Sequence, residues 1–426
     1  MDIDGFKDML GFRRYRAFIF ALIGISYILV YFHRNGTAVV AIDMMNDLNT
    51  EAVLIGMLAA GYFYSYAFMQ LPTGILSDSW GVRKTVTVTT FIAGVGSIVF
   101  GLATNVSMAI VGRVIVGVGV STVYVCALKF ISQWYRKDEF ATMNGVLIAL
   151  GGIGLLISTT PLAYLSILLG WRAPFIIFGV LSIVICALIW IFVRNRPRDV
   201  GFPMLHRDHE NYTRCSIREG TSRILRTWDF WPGSIWLFCG MAIYISFGGL
   251  WGGPYLMQVY GYSKIEASTM LSMMAVGMIV GSPLLSFISD KILKKRKVVL
   301  VFASTMLVIQ MTLLFLFFDS MPKIGLYMEF FGLGIFAIGA NPMVYATIKD
   351  TFHLELAGTC TGLANFFPFI GGAIFQPFLG YILEVNGKVG DSYTPVGYQY
   401  AILALLIVSI IGFISTLLIK EKWHSE

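Results

Sequence analysis

Among the charged or chargeable side chains within long apolar runs of the sequence, four stand out, away from the run ends: His33, Arg34, Arg113 and Glu329. Holding a charge at the centre of a bilayer costs at least about 2.5–3.5 kcal/mol, so such a group marks either a function or a structural partner. Two guanidinium groups facing one cleft would attract an anion and grip carboxylate or phosphate oxygens with paired N–H donors. For Arg34 the plainer alternative is an ion pair with an acid, and substrate contact is the favoured reading. For Arg113, substrate contact and buttressing of helix packing stand level. His33 titrates near about pH 6.5 when unperturbed and could carry a coupling proton, although a neutral histidine bonded to its neighbours is the commoner outcome. Glu329 is a candidate coupling or gating acid, or a side chain reaching for the interface. At 1.5 Å per residue, Arg34 and Arg113 fall roughly 9–12 Å below one surface, with Glu329 at a similar depth.

Aromatic and amide side chains supply the remaining candidates for a cavity wall: Tyr31, Tyr62, Tyr66, Tyr124, Trp251, Tyr255, Asn341 and Asn365. Tyr62 and Tyr66 are four residues apart and share a helix face. Each one alone is more often packing or part of an interfacial belt than a ligand contact. A second constellation lies in Gly74-Ile-Leu-Ser-Asp78-Ser-Trp-Gly81-Val-Arg83-Lys84, and it recurs weakly around Asp290 and Arg296, the two aspartates standing 212 residues apart. An aspartate at a helix end followed by basic residues suits a charge-assisted latch, made in one conformation and broken in another.

The elements that must position these groups are membrane helices. The chain has 426 residues, 57% hydrophobic and 13% charged, about half the charged share of an ordinary soluble domain. Its mean hydropathy is +0.76. Twelve apolar runs, near 17–42, 53–76, 84–104, 107–131, 139–168, 171–193, 231–260, 266–289, 298–319, 322–348, 355–384 and 396–419, are each long enough to cross a hydrocarbon core of about 30 Å. The first is too long for the core of a signal peptide and is expected to stay as an anchor. With both termini cytoplasmic, 25 of the 31 Lys and Arg fall on the cytoplasmic side and four (Arg172, Lys264, Lys323, Lys388) on the other, as the positive-inside rule requires. The expected organisation is an N-terminal tail 1–16, a six-helix bundle 17–193, a basic cytoplasmic linker 194–230, a second six-helix bundle 231–420 and a tail 421–426.

Several function classes are excluded by what the sequence lacks. It has no phosphate-cradling loop, dinucleotide fingerprint, HExxH, CxxC or nucleophile elbow, so neither an enzyme nor a cofactor or metal site is expected. The five cysteines lie apart and read as small buried side chains. The net charge of +7 follows membrane topology, which removes nucleic acid as its explanation.

The motif after the second run resembles that of the major facilitator superfamily at Gly74, Asp78, Gly81, Arg83 and Lys84. Further likeness lies in Arg113-Val-Ile-Val-Gly117-Val-Gly119, Gly170-Trp171-Arg172, Trp251-Gly-Gly-Pro254-Tyr255 and Gly358-Thr-Cys-Thr-Gly362. Ser79 and Ser286 depart from the pattern. The resemblance implies an all-α fold of twelve transmembrane helices in two pseudo-symmetric bundles, which rock around a central site. Tyr31-Phe32-His33-Arg34-Asn35 is similar to the substrate-anion segment of the organophosphate and anion:cation symporter branches, which often add an arginine placed like Arg113. Where those symporters commonly carry acids, this chain has His33 and, in the fourth run, the neighbourhood of Val120.

The expected function is therefore secondary transport of a small organic anion, carboxylate or phosphate ester, across the plasma or inner membrane. Proton symport and exchange against a counter-substrate both stay open, and the working unit is expected to be a monomer in contact with membrane lipids. An efflux antiporter for amphiphiles would want an acid within the first six spans and a Gly-Pro signature where Gly151-Gly152-Ile-Gly154 stands. A non-transporting solute sensor is the third reading.

Overall fold

A chain in lipid must satisfy its main-chain N–H and C=O groups internally, and helices do so within one segment. The computed structural model describes residues 3–202, 217–352 and 357–420, and it meets that requirement almost wholly with helix. Among the described residues twelve helices are long and apolar enough to cross a membrane. Spans 1 to 6 are Gly11–Asn35, Ala52–Gln70, Ser79–Gly101, Val106–Trp134, Thr142–Leu169 and Arg172–Phe192. Spans 7 to 12 are Trp228–Gln258, Lys264–Leu293, Arg296–Leu316, Lys323–Asp350, Thr359–Val385 and Pro395–Leu418. An even count puts both ends of the chain on one face, here the terminal face, and the other is the opposite face. The tail 421–426 and residues 203–216 of the linker lie outside the described residues.

The first six spans form one bundle and the last six another. Span 3 packs on span 6 where Gly94 meets Gly179, and span 1 packs on span 5 where Gly24 meets Leu150. The halves meet along span 2 against span 11 and span 5 against span 8, where Gly152 faces Ile279. Side chains such as Leu168, Ile324 and Met328 are well exposed on the outside of the bundles, which is where a lipid-facing belt belongs.

Three local features interrupt regular α-helix. Gly81 adopts φ +77 and ψ 166 and turns the chain from span 2 into span 3. Span 1 is followed by a further helix, Thr37–Asp47, which carries it to the opposite face. Spans 7, 8 and 10 contain wide π-helical turns at Tyr244–Trp251, Ile288–Leu293 and Gly334–Ile338. Such turns recur at functional sites because they aim side chains off the α-helical lattice.

Gly81 yields a stability test. A Cβ there would lie 2.6 Å from the Asn195 amide, and the left-handed backbone alone costs a non-glycine residue about 1–3 kcal/mol. Gly81→Ala is expected to lower the melting temperature by several degrees, and Asn195→Ala in the same background should recover part of the loss. A melting curve unchanged by Gly81→Ala would show that this turn does not limit stability.

Candidate functional site

Arg34 sits near the end of span 1, only 7% exposed. Its guanidinium carbon lies 4.8 Å from the ring centre of Tyr31, 5.1 Å from that of Tyr66 and 5.1 Å from that of Phe369. Tyr31 and Tyr66 belong to the first bundle, while Phe369 comes from span 11 in the second. The guanidinium therefore lies at the seam between the halves, held over aromatic faces that stabilise a cation without neutralising it. Its Nε has no hydrogen-bond partner among the described residues, and the same holds for the hydroxyls of Tyr62 and Tyr244. None of the ion pairs among the described residues involves Arg34. The result is a buried cluster of polar groups around a positive charge that has no carboxylate partner among the described residues.

Arg113 is used differently. It is 1% exposed, and its Nη1 donates to the main-chain carbonyl of His33 at 2.5 Å. Its guanidinium rests on Tyr62 at 4.7 Å and Phe100 at 5.8 Å. All of these partners are in the first bundle, so Arg113 ties span 4 to span 1 one residue below Arg34. Tyr62 is fully buried and stacks on Tyr66 at 5.9 Å, which places it beside the Arg34 cage. The His33 imidazole is 1% exposed with Nε2 unpartnered, and its ring meets Phe32 edge-on at 5.4 Å.

The other predicted wall residues divide. Asn365 donates to Gln70 Oε1 at 2.9 Å and accepts from the Tyr345 hydroxyl at 2.8 Å, a polar bridge across the seam. Tyr124 donates weakly to Asn144 Oδ1 at 3.5 Å and stacks on Tyr27 at 5.5 Å. Asn341 places its amide nitrogen 3.4 Å from Met241 Sδ and leaves Oδ1 unpartnered. Trp251 gives its indole N–H to the Gln376 carbonyl at 2.9 Å, and Tyr255 gives its hydroxyl to the Phe318 carbonyl at 2.5 Å. The structure thus spends the polar atoms of Trp251 and Tyr255 on the second bundle's own main chain. Glu329 stands apart from the Arg34 cage, in a cleft it shares with Gln310 and Leu313, and no arginine pairs with it among the described residues.

The basic motifs also stay within their halves. The main-chain N–H of Arg83 donates to Asn195 Oδ1 at 2.9 Å, and its guanidinium donates to the Trp190 carbonyl at 2.9 and 2.5 Å. The Lys84 ammonium lies 4.9 Å over the Trp80 ring. Arg296 bridges Asp290 at 3.3 Å and Asp350 at 2.5 Å. Gly74 and the Asp78 side chain lie outside the described residues.

At the opposite face the halves are bonded to each other. The first two amides of span 2 find their acceptors across the seam: Ala52 N–H donates to the Tyr393 hydroxyl at 2.8 Å and Val53 N–H to Glu384 Oε1 at 2.6 Å. A carboxylate at a helix N-terminus also suits the helix dipole. Lys388 pairs with Glu51 at 3.0 Å, and Lys264 pairs with Asp43. The Lys388 ammonium, hydrogen-bonded to Glu51, holds the Glu51 carboxyl below the ordinary carboxylate range. Lys388 and Tyr393 are paired in a two-stranded hairpin that joins spans 11 and 12, so one small element carries two of these contacts. Sequence reasoning missed this cluster, as it missed Phe369 and Gln70. The acid of Glu51, two residues before an apolar run, was the available signal.

The model of the Major Facilitator Superfamily matches residues 23–376. The chain belongs to that superfamily. It is a multi-pass membrane protein of a transporter family and not an enzyme. Similar proteins include a probable hexose phosphate transport protein of Chlamydia trachomatis, 24% identical over 95% of this chain and 91% of that one. The membrane sensor protein UhpC of Escherichia coli is also 24% identical, over 97% and 94%. The probable galactarate/D-glucarate transporter GudP of Bacillus subtilis is 23% identical over 96% and 94%. Among solved structures, the inward-facing, occupied form of a bacterial homolog of the human lysosomal transporter Spinster superposes with TM-score 0.73 at 16% identity, covering 95% of this chain and 97% of that one. The nucleoside transporter NupG superposes with TM-score 0.76 at 12% identity, covering 94% and 99%. These two likenesses concern the fold alone.

Proposed function

We propose that the chain is a secondary transporter that moves a small organic anion, carboxylate or phosphate ester, across the cell membrane by alternating access. The observation that carries this reading is the unpaired Arg34 guanidinium at the seam, ringed by aromatic faces and orphan donors. A buried cation without a counter-charge is costly, and an anionic solute entering the seam completes it. Tyr31, Tyr62, Tyr66 and Asn365 shape the site around the bound anion, and Arg113 holds span 1 in register through the His33 carbonyl. The bundles 17–193 and 231–420, joined by the linker 194–230, act as the two rocking bodies. By the distribution of Lys and Arg, the terminal face is cytoplasmic. The contacts made by Tyr393, Glu384, Lys388 and Lys264 then close the outer side.

Relatives named for a hexose phosphate and for galactarate or glucarate support an anionic solute. Likeness to a membrane sensor protein supports a second reading, in which the same site binds its anion without moving it. Uptake into proteoliposomes separates them. Labelled sugar phosphates, sugar acids and short carboxylates are offered to purified protein, with unlabelled compound inside. Accumulation of one class is the expected result. Saturable binding without accumulation would leave the sensor. Uptake driven by an inward proton gradient and lost in His33→Gln identifies symport, whereas acceleration by internal anion identifies exchange.

A further inference from the structure

We infer that the cleft between spans 9 and 10 is a second binding site, distinct from the seam, for the primary-amine head of a free membrane-dissolved amphiphile. The cleft is an open groove of about 410 Å³, lined by Gln310, Leu313, Phe317, Met321, Met328 and Glu329, among others. That volume suits a small molecule.

Its chemistry is set by two acceptors. Glu329 is 5% exposed, and its Oε1 has no hydrogen-bond partner among the described residues. Gln310 donates its amide to the Glu329 main-chain carbonyl at 3.2 Å, which leaves the Gln310 Oε1 unpartnered as well. Tyr255, an ionisable neighbour of Glu329, has already given its hydroxyl to the Phe318 carbonyl at 2.5 Å. No Lys, Arg or His pairs with Glu329 among the described residues. Behind its apolar walls the cleft therefore holds two buried oxygens with no donor to meet them among the described residues. An ammonium head brings a positive charge and three N–H groups on one atom, which complements both.

The remaining walls fit a hydrocarbon body. Leu313, Phe317 and Met328 are 43%, 49% and 63% exposed on the outside of the bundle, so the mouth opens where acyl chains lie. Glu329 is six residues inside the start of span 10, which sets the carboxyl roughly 9 Å below that face. A single-tailed amine can enter from the bilayer with its head directed inward to Glu329. A fatty alcohol lacks the charge, and a quaternary ammonium lacks the N–H groups.

The test uses the full purified chain, with n-decylamine, n-decanol and decyltrimethylammonium added in turn while thermal unfolding is followed. Decylamine is expected to raise the melting temperature saturably, with decanol without effect and the quaternary salt at least tenfold weaker. Glu329→Gln should weaken the decylamine response tenfold or more, and Leu313→Trp, which fills the cleft, should remove it. Arg34→Ala should leave it intact, so this result and the anion assignment can fail separately. An equal response to decanol, or a decylamine response unchanged in both cleft variants, overturns the proposal. A response present in phosphatidylcholine nanodiscs but abolished by phosphatidylethanolamine would assign the cleft to a lipid headgroup and overturn the free amphiphile as its occupant.

Discussion

Arg34→Ala is expected to lower anion uptake by at least about thirtyfold while leaving the protein as stable as before, or more so. Truncating one partner of a buried, hydrogen-bonded charge pair typically costs about 2–5 kcal/mol, and each 1.4 kcal/mol is a factor of ten. The stability half of the expectation distinguishes substrate contact from scaffold. With no carboxylate paired to Arg34 and its Nε orphaned, its removal relieves desolvation without stranding a counter-charge. Arg34→Lys keeps the charge but loses the planar fork, and should bind the anion more weakly than the native chain yet better than alanine. Uptake in proteoliposomes and melting of the same preparations check both halves. A variant that transports normally, or one that melts many degrees lower, removes Arg34 from the proposed role.

The second large effect concerns the contact at the opposite face. A Cβ on Gly380 would lie 2.6 Å from the Ala52 carbonyl oxygen and 2.8 Å from its carbon, and one on Gly56 would lie 2.5 Å from Pro377 Cα. These are main-chain atoms of the other half and cannot turn aside. Gly380→Val should therefore drive spans 2 and 11 apart, hold the seam open to that face and abolish transport. Modification of Phe369→Cys by a membrane-impermeant maleimide from that face should quicken at least tenfold in the Gly380→Val background, by about 1.4 kcal/mol of lost closure. Glu384→Ala and Tyr393→Phe should act in the same direction more mildly, since each removes one capping contact worth about 1 kcal/mol. Acid should do likewise. The Glu51 carboxyl is held below its ordinary range in the closed contact, so that contact is complete above the ordinary range and weakens as pH falls through the depressed value. Labelling of Phe369→Cys that is indifferent to Gly380→Val would show that the seam is not closed there.

Much of the architecture could be read before any coordinates, because lipid imposes a one-dimensional rule: apolar length and flanking charge fix where a chain crosses. Arg34 was legible for the same reason, as a charge in a stretch that should have none. The identity of its neighbours was not. Phe369 is one of 33 phenylalanines, and nothing local separates a ring that will cover a guanidinium across the seam from one that will face lipid. The bonds of Val53 to Glu384 and of Ala52 to Tyr393 join residues more than 300 positions apart, beyond any pattern of spacing. Depth could be counted for Glu329, but direction round the helix could not, and its carboxyl faces span 9 instead of the seam.

The wide turn in span 7 has a consequence for how that helix is read. A regular helix advances roughly 100° per residue, which would put Tyr244, Trp251 and Tyr255 on a single face. The turn at Tyr244–Trp251 closes its hydrogen bonds one residue later, so it absorbs a position and slips the phase of everything beyond it by about 100°. Tyr244 stays near Tyr31 and Arg34, while Trp251 reaches the Gln376 carbonyl and Tyr255 the Phe318 carbonyl. A helical wheel drawn through span 7 without that slip misplaces its last seven residues, Gly252–Gln258, by about 100°.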